Sequence, residues 1–275
     1  MNFLKNKIDI FDMVLVSIVA YFSFNGAHYF YSDTHMEMAV NWKKAEEAAL
    51  KDVERNANQA KKQFKRKYET IISWRFDREY DLFPVSQKNY EQIDKIIDIV
   101  IDKLEKKKKI IKWEDEIEWA RAYATMGIIS SVLEETVYRQ YDGKLYFLAD
   151  GINRKRLDCQ TLATIYMGIA EIMKLPLSSV IIPGEPGHMF VRWQMKDGQY
   201  LNWDPVSSIT PERDEYYEKK WHMPKEKFII VKLDDFRNAV IKKMALSYAY
   251  DNAERNEADF IKRREYSLKK YAMLR

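Results

Sequence analysis

From Trp42 to Trp74 the chain contains no Gly or Pro, and small or apolar residues return at Ala45, Ala49, Val53, Ala57, Ala60, Phe64, Tyr68 and Ile71. Steps of four and three trace one face of a helix, and the intervening Lys, Arg, Glu and Asn supply its other faces. The pattern predicts a long, stalk-like amphipathic helix. Its seam is richer in alanine than a Leu/Ile heptad, which favours packing on its own domain over a coiled coil, with a protein partner or self-association through 42–74 as the other use. The region around Pro84 ends this element. The stretch "NYEQIDKIIDIVIDKLEKKKK" predicts a second helix, with Ile93, Ile96, Ile97, Val100, Ile101 and Leu104 inward. Lys106 to Lys109 fall at its C-terminal end, where cations complement the helix dipole and a solvated terminus is the simplest reading; contact with anionic lipid is the alternative. A third helix, about Trp113 to Gln140, leads into the loop "YDGKLYFLADGINRKRLD".

Beyond Cys159 the period changes. "TLATIYMGIAEIMKL" is helical and nearly all apolar on one side, whereas "SSVIIP", "HMFVRWQM" and "QYLNWD" are short β-branched and aromatic runs separated by Gly, Pro and Asp. The "KDGQ" between the last two reads as a hairpin turn. A buried helix followed by an antiparallel sheet is therefore expected, which makes the chain α+β. The C-terminal "FRNAVIKKMALSYAYDNAERNEADFIKRREYSLKKYAML" returns to helical spacing and predicts a helical hairpin.

At the other end, "IFDMVLVSIVAYFSFNGAHYF" runs from Ile10 to Phe30 with Asp12 its single acid. About 20 apolar residues suffice for a bilayer-spanning helix, and the aromatics at its far end suit an interface belt. The segment reads as a membrane anchor; a cleaved signal peptide or a buried amphipathic helix are the alternatives, and Asn25-Gly26-Ala27 is a poor cleavage site. Lys5 and Lys7 precede it, while the next basic residues, Lys43 and Lys44, lie far beyond. This asymmetry predicts a cytoplasmic N-terminus and an extracytoplasmic body.

Composition narrows the classes. Of 275 residues, 47% are hydrophobic and 32% charged, which excludes wholesale disorder and a polytopic membrane protein. A net charge of +4 from 46 basic and 42 acidic residues, with no recognition motif, gives no reason to expect a nucleic-acid partner. One cysteine rules out an intrachain disulfide and a multi-thiolate zinc site, and no metal or cofactor is expected.

The candidate chemistry gathers around that cysteine. Asp158 is a natural N-cap, which would set Cys159 at the first position of the apolar helix, where the helix N-terminus and a histidine partner can lower a thiol's pKa. His188 opens one predicted strand and Asp204 closes the strand after the next turn. Antiparallel neighbours can bring such positions together, giving nucleophile, base and orienting carboxylate. Each residue also has a plain structural reading: a small core thiol, a satisfied histidine and a turn aspartate. The backbone N–H groups of Cys159 and Gln160 are candidate oxyanion donors, and Asn153 is a candidate side-chain donor. Trp193 and Trp203 read as core, and Arg156 and Arg192 as solvated surface or contacts for an acidic group.

The blocks "DCQTLATIYMGIAEIMKLP", "PGHMFVRW" and "LNWDP", in this order, resemble the signatures of the transglutaminase-like superfamily, especially its bacterial branch of small papain-like thiol enzymes. The resemblance covers about 145–208 and implies a central helix packed on an antiparallel sheet. It also implies a triad of Cys159, His188 and Asp204 acting on a peptide or protein amide through an acyl-enzyme. Gln160 and Thr161 stand where the family usually has an acidic or small residue, and nothing resembles the calcium loops of animal transglutaminases. The organisation expected is an anchor at 1–35, a helical stalk at 36–80, a transglutaminase-like domain at 81–230 and a helical hairpin at 231–275. Hydrolysis, transamidation and a catalytically idle interaction module remain open from the residues alone.

Overall fold

A computed structural model describes residues 33–80, 84–110, 117–142, 147–184, 187–207 and 213–238, with side chains from Glu47 onward. The predicted anchor at 10–30 and nearly all of the predicted C-terminal hairpin lie outside these residues. Among the described residues, no helix is long and apolar enough to cross a membrane. The fold is mixed α+β, and residues 53–240 form one compact unit.

The long helix of the sequence pattern is broken in two. Helix α1 spans Asp33–Gln63 and α2 spans Ile71–Glu79. Between them, backbone groups that a continuous helix would use are held by side chains from helix α3, Gln87–Ile110. Lys65 N–H donates to Gln87 Oε1 at 2.9 Å, and the N–H groups of Lys67 and Tyr68 donate to the Asp94 carboxylate at 2.7 and 3.2 Å. Thr70 then caps α2, accepting from the N–H groups of Ile72 and Ser73. The helix predicted through Trp74 thus ends at Gln63, because partners more than twenty residues away satisfy the amides of Lys65, Lys67 and Tyr68.

Helix α2 is core, although its sequence, IISWRFDRE, is rich in charge. Its Glu79 is fully buried and accepts from Arg75 Nε at 2.7 Å and from the N–H groups of Leu148 and Ala149 at 2.9 and 3.1 Å. Those amides open helix α5, Leu148–Arg154. Arg75 Nη1 reaches Thr164 at 3.0 Å on helix α6, Cys159–Met173. A stalk ending at residue 80 is therefore corrected: the compact unit begins at Val53, and α2 packs on the central helix. Gly168 permits the approach, since a Cβ there would stand 2.5 Å from the Ile72 side chain.

Helix α4 spans Glu118–Thr136 and packs on α3. A parallel two-residue ladder follows, β1 (Gln140–Tyr141) with β2 (Arg156–Leu157), with Tyr141 opposite Leu157. This ladder fixes the chain just ahead of Cys159. Helix α6 has a capping box, in which Asp158 accepts from Thr161 N–H at 2.7 Å and Thr161 Oγ1 accepts from Asp158 N–H at 2.9 Å. It ends where Lys174 takes the left-handed conformation, φ 53°, ahead of Pro176.

Four antiparallel strands complete the unit in the order β5-β4-β3-β6: β3 (Leu177–Ile182), β4 (His188–Gln194), β5 (Tyr200–Trp203) and β6 (Ile229–Val231). The predicted hairpin turn joins β4 to β5, with Gly198 at φ 87°. Residues of the sheet alternate between two faces. Val191 pairs with Trp203, and Trp203 Nε1 donates to Ser130 and Tyr166 of α4 and α6 at 3.0 and 3.2 Å. His188, Phe190 and Arg192 point to the other face, covered by helix α7, Asp214–Trp221.

Candidate active site

His188 and Asp204 meet at the end of the sheet. The β4–β5 register, continued past Trp203, places Asp204 diagonally across from His188 on the same face. The contact is direct: His188 Nε2 lies 2.8 Å from Asp204 Oδ2, and both side chains are buried. Asp204 Oδ1 accepts from Val206 N–H at 3.0 Å, which fixes the carboxylate's orientation. A carboxylate only accepts, so Nε2 donates in this pair, and Nδ1 is the ring nitrogen left for another partner.

Cys159 comes to the same place from the opposite layer. It is the first residue of α6, as its cap required, and its sulfur accepts from the backbone N–H groups of Met189 and Gln160. Met189 follows His188 in β4, so the thiol meets the strand one residue after His188. Gln160 N–H is one of the two amides expected to serve an oxyanion, and here it is turned to the sulfur. Met189 N–H is a second amide at that spot, with no signal in the sequence beyond its position after His188.

The electrostatics run against the expected activation. Burial pushes the Cys159 thiol up to about 12, with the Asp158 and Asp204 carboxylates adding to the rise and the two backbone amides opposing it. The helix N-terminus does not offset a partly buried sulfur flanked by two anions. The resting group is a neutral thiol, and a nucleophilic sulfur must lose its proton during attack.

Two tyrosines that belong to no motif also border the site. The Tyr141 hydroxyl is pushed up to about 12 by burial and then by Cys159, Asp158 and Asp204. That of Tyr138 is raised by burial and by Asp204. Both come from the segment that the β1–β2 ladder lays beside the start of α6. A third unforeseen neighbour is Trp221, whose ring stacks on His188 at 5.0 Å between centroids and 11° between planes.

The remaining candidates fall elsewhere. Asn153 Oδ1 accepts from Asn89 Nδ2 at 3.0 Å, which ties it to α3. Arg192 is buried, 2.5 Å from Asp214 and 2.8 Å from Asn202, and is not a solvated surface residue. Arg156 is half-exposed, with Asp142 3.4 Å away. Trp193 and Trp203 are core, as their alternation predicted. Among the described residues, no group of three or more His, Cys, Asp or Glu side chains is arranged to hold a metal. Comparison with family models, with curated proteins and with solved structures found no match.

Proposed function

We propose that the chain is a thiol-dependent amidase of transglutaminase-like type, held to a membrane by residues 10–30 and acting outside the cytoplasm on a peptide or protein. The observation that carries this reading is the buried His188–Asp204 pair, 2.8 Å apart, with the thiol of Cys159 beside the next residue of the same strand. A core without chemistry has little use for a histidine with one nitrogen committed to a carboxylate and the other left as a base.

In this reading Cys159 Sγ attacks the amide carbonyl carbon as its proton passes to His188 Nδ1, and the carbonyl electron pair moves onto oxygen. The oxyanion collapses, the C–N bond breaks, and the amine leaves with the proton from Nδ1. Water then attacks the thioester, giving its proton to Nδ1, and the carboxylic acid and the thiol are released. An amine in place of water completes a transamidation. Asp204 holds the imidazole and stabilises it when protonated.

The raised thiol favours a second reading, a catalytically idle interaction module. Acylation separates the two. A panel of peptide thioesters and peptide vinyl sulfones, followed by intact-mass analysis, should label the wild type at Cys159. Labelling should vanish in Cys159→Ala and fall by about a hundredfold or more in His188→Gln and Asp204→Ala. Labelling at equal rates in wild type and His188→Gln would sink the enzyme.

A further inference from the structure

Helix α4 carries no charged residue from Ala122 to Leu133, yet only one side of that stretch is buried. Met126, Ile129 and Leu133 face the core of the unit. On the other side Trp119 is 43% and Tyr123 36% exposed, and Ala120, Ala124, Gly127 and Ile128 are partly open to solvent. A helix that is apolar on all its faces is one that packs on all of them. The Trp119 and Tyr123 rings stack at 5.3 Å and 9°, and Tyr123 stands edge-on to the buried Trp203, so the aromatic pair is held on the outside of the helix. A Cβ at Gly127 would meet nothing within 4 Å, and the surface is open there. The charges that bound this face are placed symmetrically. Arg121, Ile128 and Glu135 follow at steps of seven, which sets them in one line along the helix. Glu135 takes Lys103 at 3.0 Å and Ser131 at 2.9 Å and is still 58% exposed, whereas Arg121 has no acidic partner among the described residues.

We infer that this face of α4 is a dimer interface, on which a second copy of the chain lays its own α4 antiparallel about a two-fold axis at Ile128. In a two-fold contact, residue i meets residue j and j meets i. With the axis at Ile128, Arg121 of each copy comes opposite Glu135 of the other, about 10 Å along the helix from the crossing, and Ile128 meets its own counterpart. A parallel pairing would set Arg121 against Arg121 and Glu135 against Glu135, so the line of charge selects the antiparallel one. The open surface at Gly127 and the short side chains of Ala120 and Ala124 let the backbones approach to the near end of the usual spacing of about 8–10 Å. Trp119 and Tyr123 flank the crossing and supply the aromatic area that interfaces favour. An anionic bilayer, the other cover for an apolar helix face, would meet Glu134 and Glu135 with like charge, whereas a second copy brings Arg121. The dimer stands apart from the amidase reading, since α4 supplies none of Cys159, His188 and Asp204.

The test is sedimentation velocity of the full 275-residue chain in mild detergent over a concentration series. The wild type should pass from monomer to dimer as concentration rises. Arg121→Glu sets like charges together on both sides of the crossing and should raise the dimer dissociation constant about tenfold or more. Adding Glu135→Arg restores opposite charges and should return association to within about threefold of wild type. Cross-linking with a short bismaleimide in a Cys159→Ala background reads the geometry separately. Ile128→Cys should join to its own copy, whereas Arg121→Cys and Glu135→Cys should join only when the two proteins are mixed. A chain that is monomeric at every concentration overturns the inference, as does a dimer that Arg121→Glu leaves unchanged. Self-joining at 121 or 135 overturns the antiparallel pairing. A monomer whose quenching by brominated lipid is lost in Trp119→Phe gives the face to the bilayer and overturns the dimer as well.

Discussion

At Cys159 the sign of the pKa shift decides how the residue behaves. The thiol ionises near 9 in an unfolded chain and at about 12 in the fold, so the folded state binds its proton more tightly. The resulting stabilisation is complete below pH 9 and is lost as the pH rises towards 12. In urea unfolding followed between pH 9 and 11, Cys159→Ala should therefore lose stability with rising pH less steeply than wild type. The difference in slope should approach about 1.4 kcal/mol per pH unit. The same protonated sulfur should react with iodoacetamide at pH 7.5 about a hundredfold more slowly than a free cysteine. Slow alkylation is expected of an enzyme that deprotonates its thiol only as substrate arrives, so it does not by itself mark an idle site.

At the scale of elements, α2 holds the central helix in place through polar groups. Glu79 joins Arg75 to the start of α5, and Arg75 continues to Thr164 of α6, one turn beyond Cys159. Replacing Glu79 by Ala removes the acceptor of two amides and takes this carboxylate from a buried guanidinium, which should lower stability by about 3–5 kcal/mol. Urea denaturation monitored by tryptophan fluorescence measures the loss. Glu79 also shows why part of the fold was not legible. Helix α6 and strands β3 to β5 could be read directly, because Asp158 caps, Gly198 turns and the apolar period shifts from the helical to the strand spacing. The run of Arg75, Asp77, Arg78 and Glu79 looks like a solvent face, and the partners supplied by α5, α6, α3, Glu54 of α1 and Arg66 make it core. The break at 64–70 was hidden for the same reason, since Gln87 and Asp94 replace the helical acceptors without any Gly or Pro to announce it. Within the site, the three residues that carry recognisable chemistry were legible, whereas Tyr138, Tyr141 and Trp221 lie in stretches without a motif and arrive through the β1–β2 ladder and helix α7.

For the whole molecule, the proposed anchor can be tested separately from the chemistry. Residues 10–30 should hold the chain in the membrane fraction after high-salt and carbonate washes, and removal of residues 1–32 should move it to the soluble fraction. Retention of the shortened chain in the pellet with its fold intact would remove the anchor from the proposal. The compact unit of 53–240 also differs in the reach of its contacts. Cys159, His188 and Asp204 lie within 45 positions of one another and are joined by a helix and three strands that follow directly in the chain. The Glu79 bonds to Leu148 and Ala149 instead close a loop of about seventy residues. Short closures lose less chain entropy than long ones. The helix-to-sheet segment that carries Cys159, His188 and Asp204 thus costs less chain entropy to close, and the Glu79 bonds of α2 close the longer loop onto the same unit.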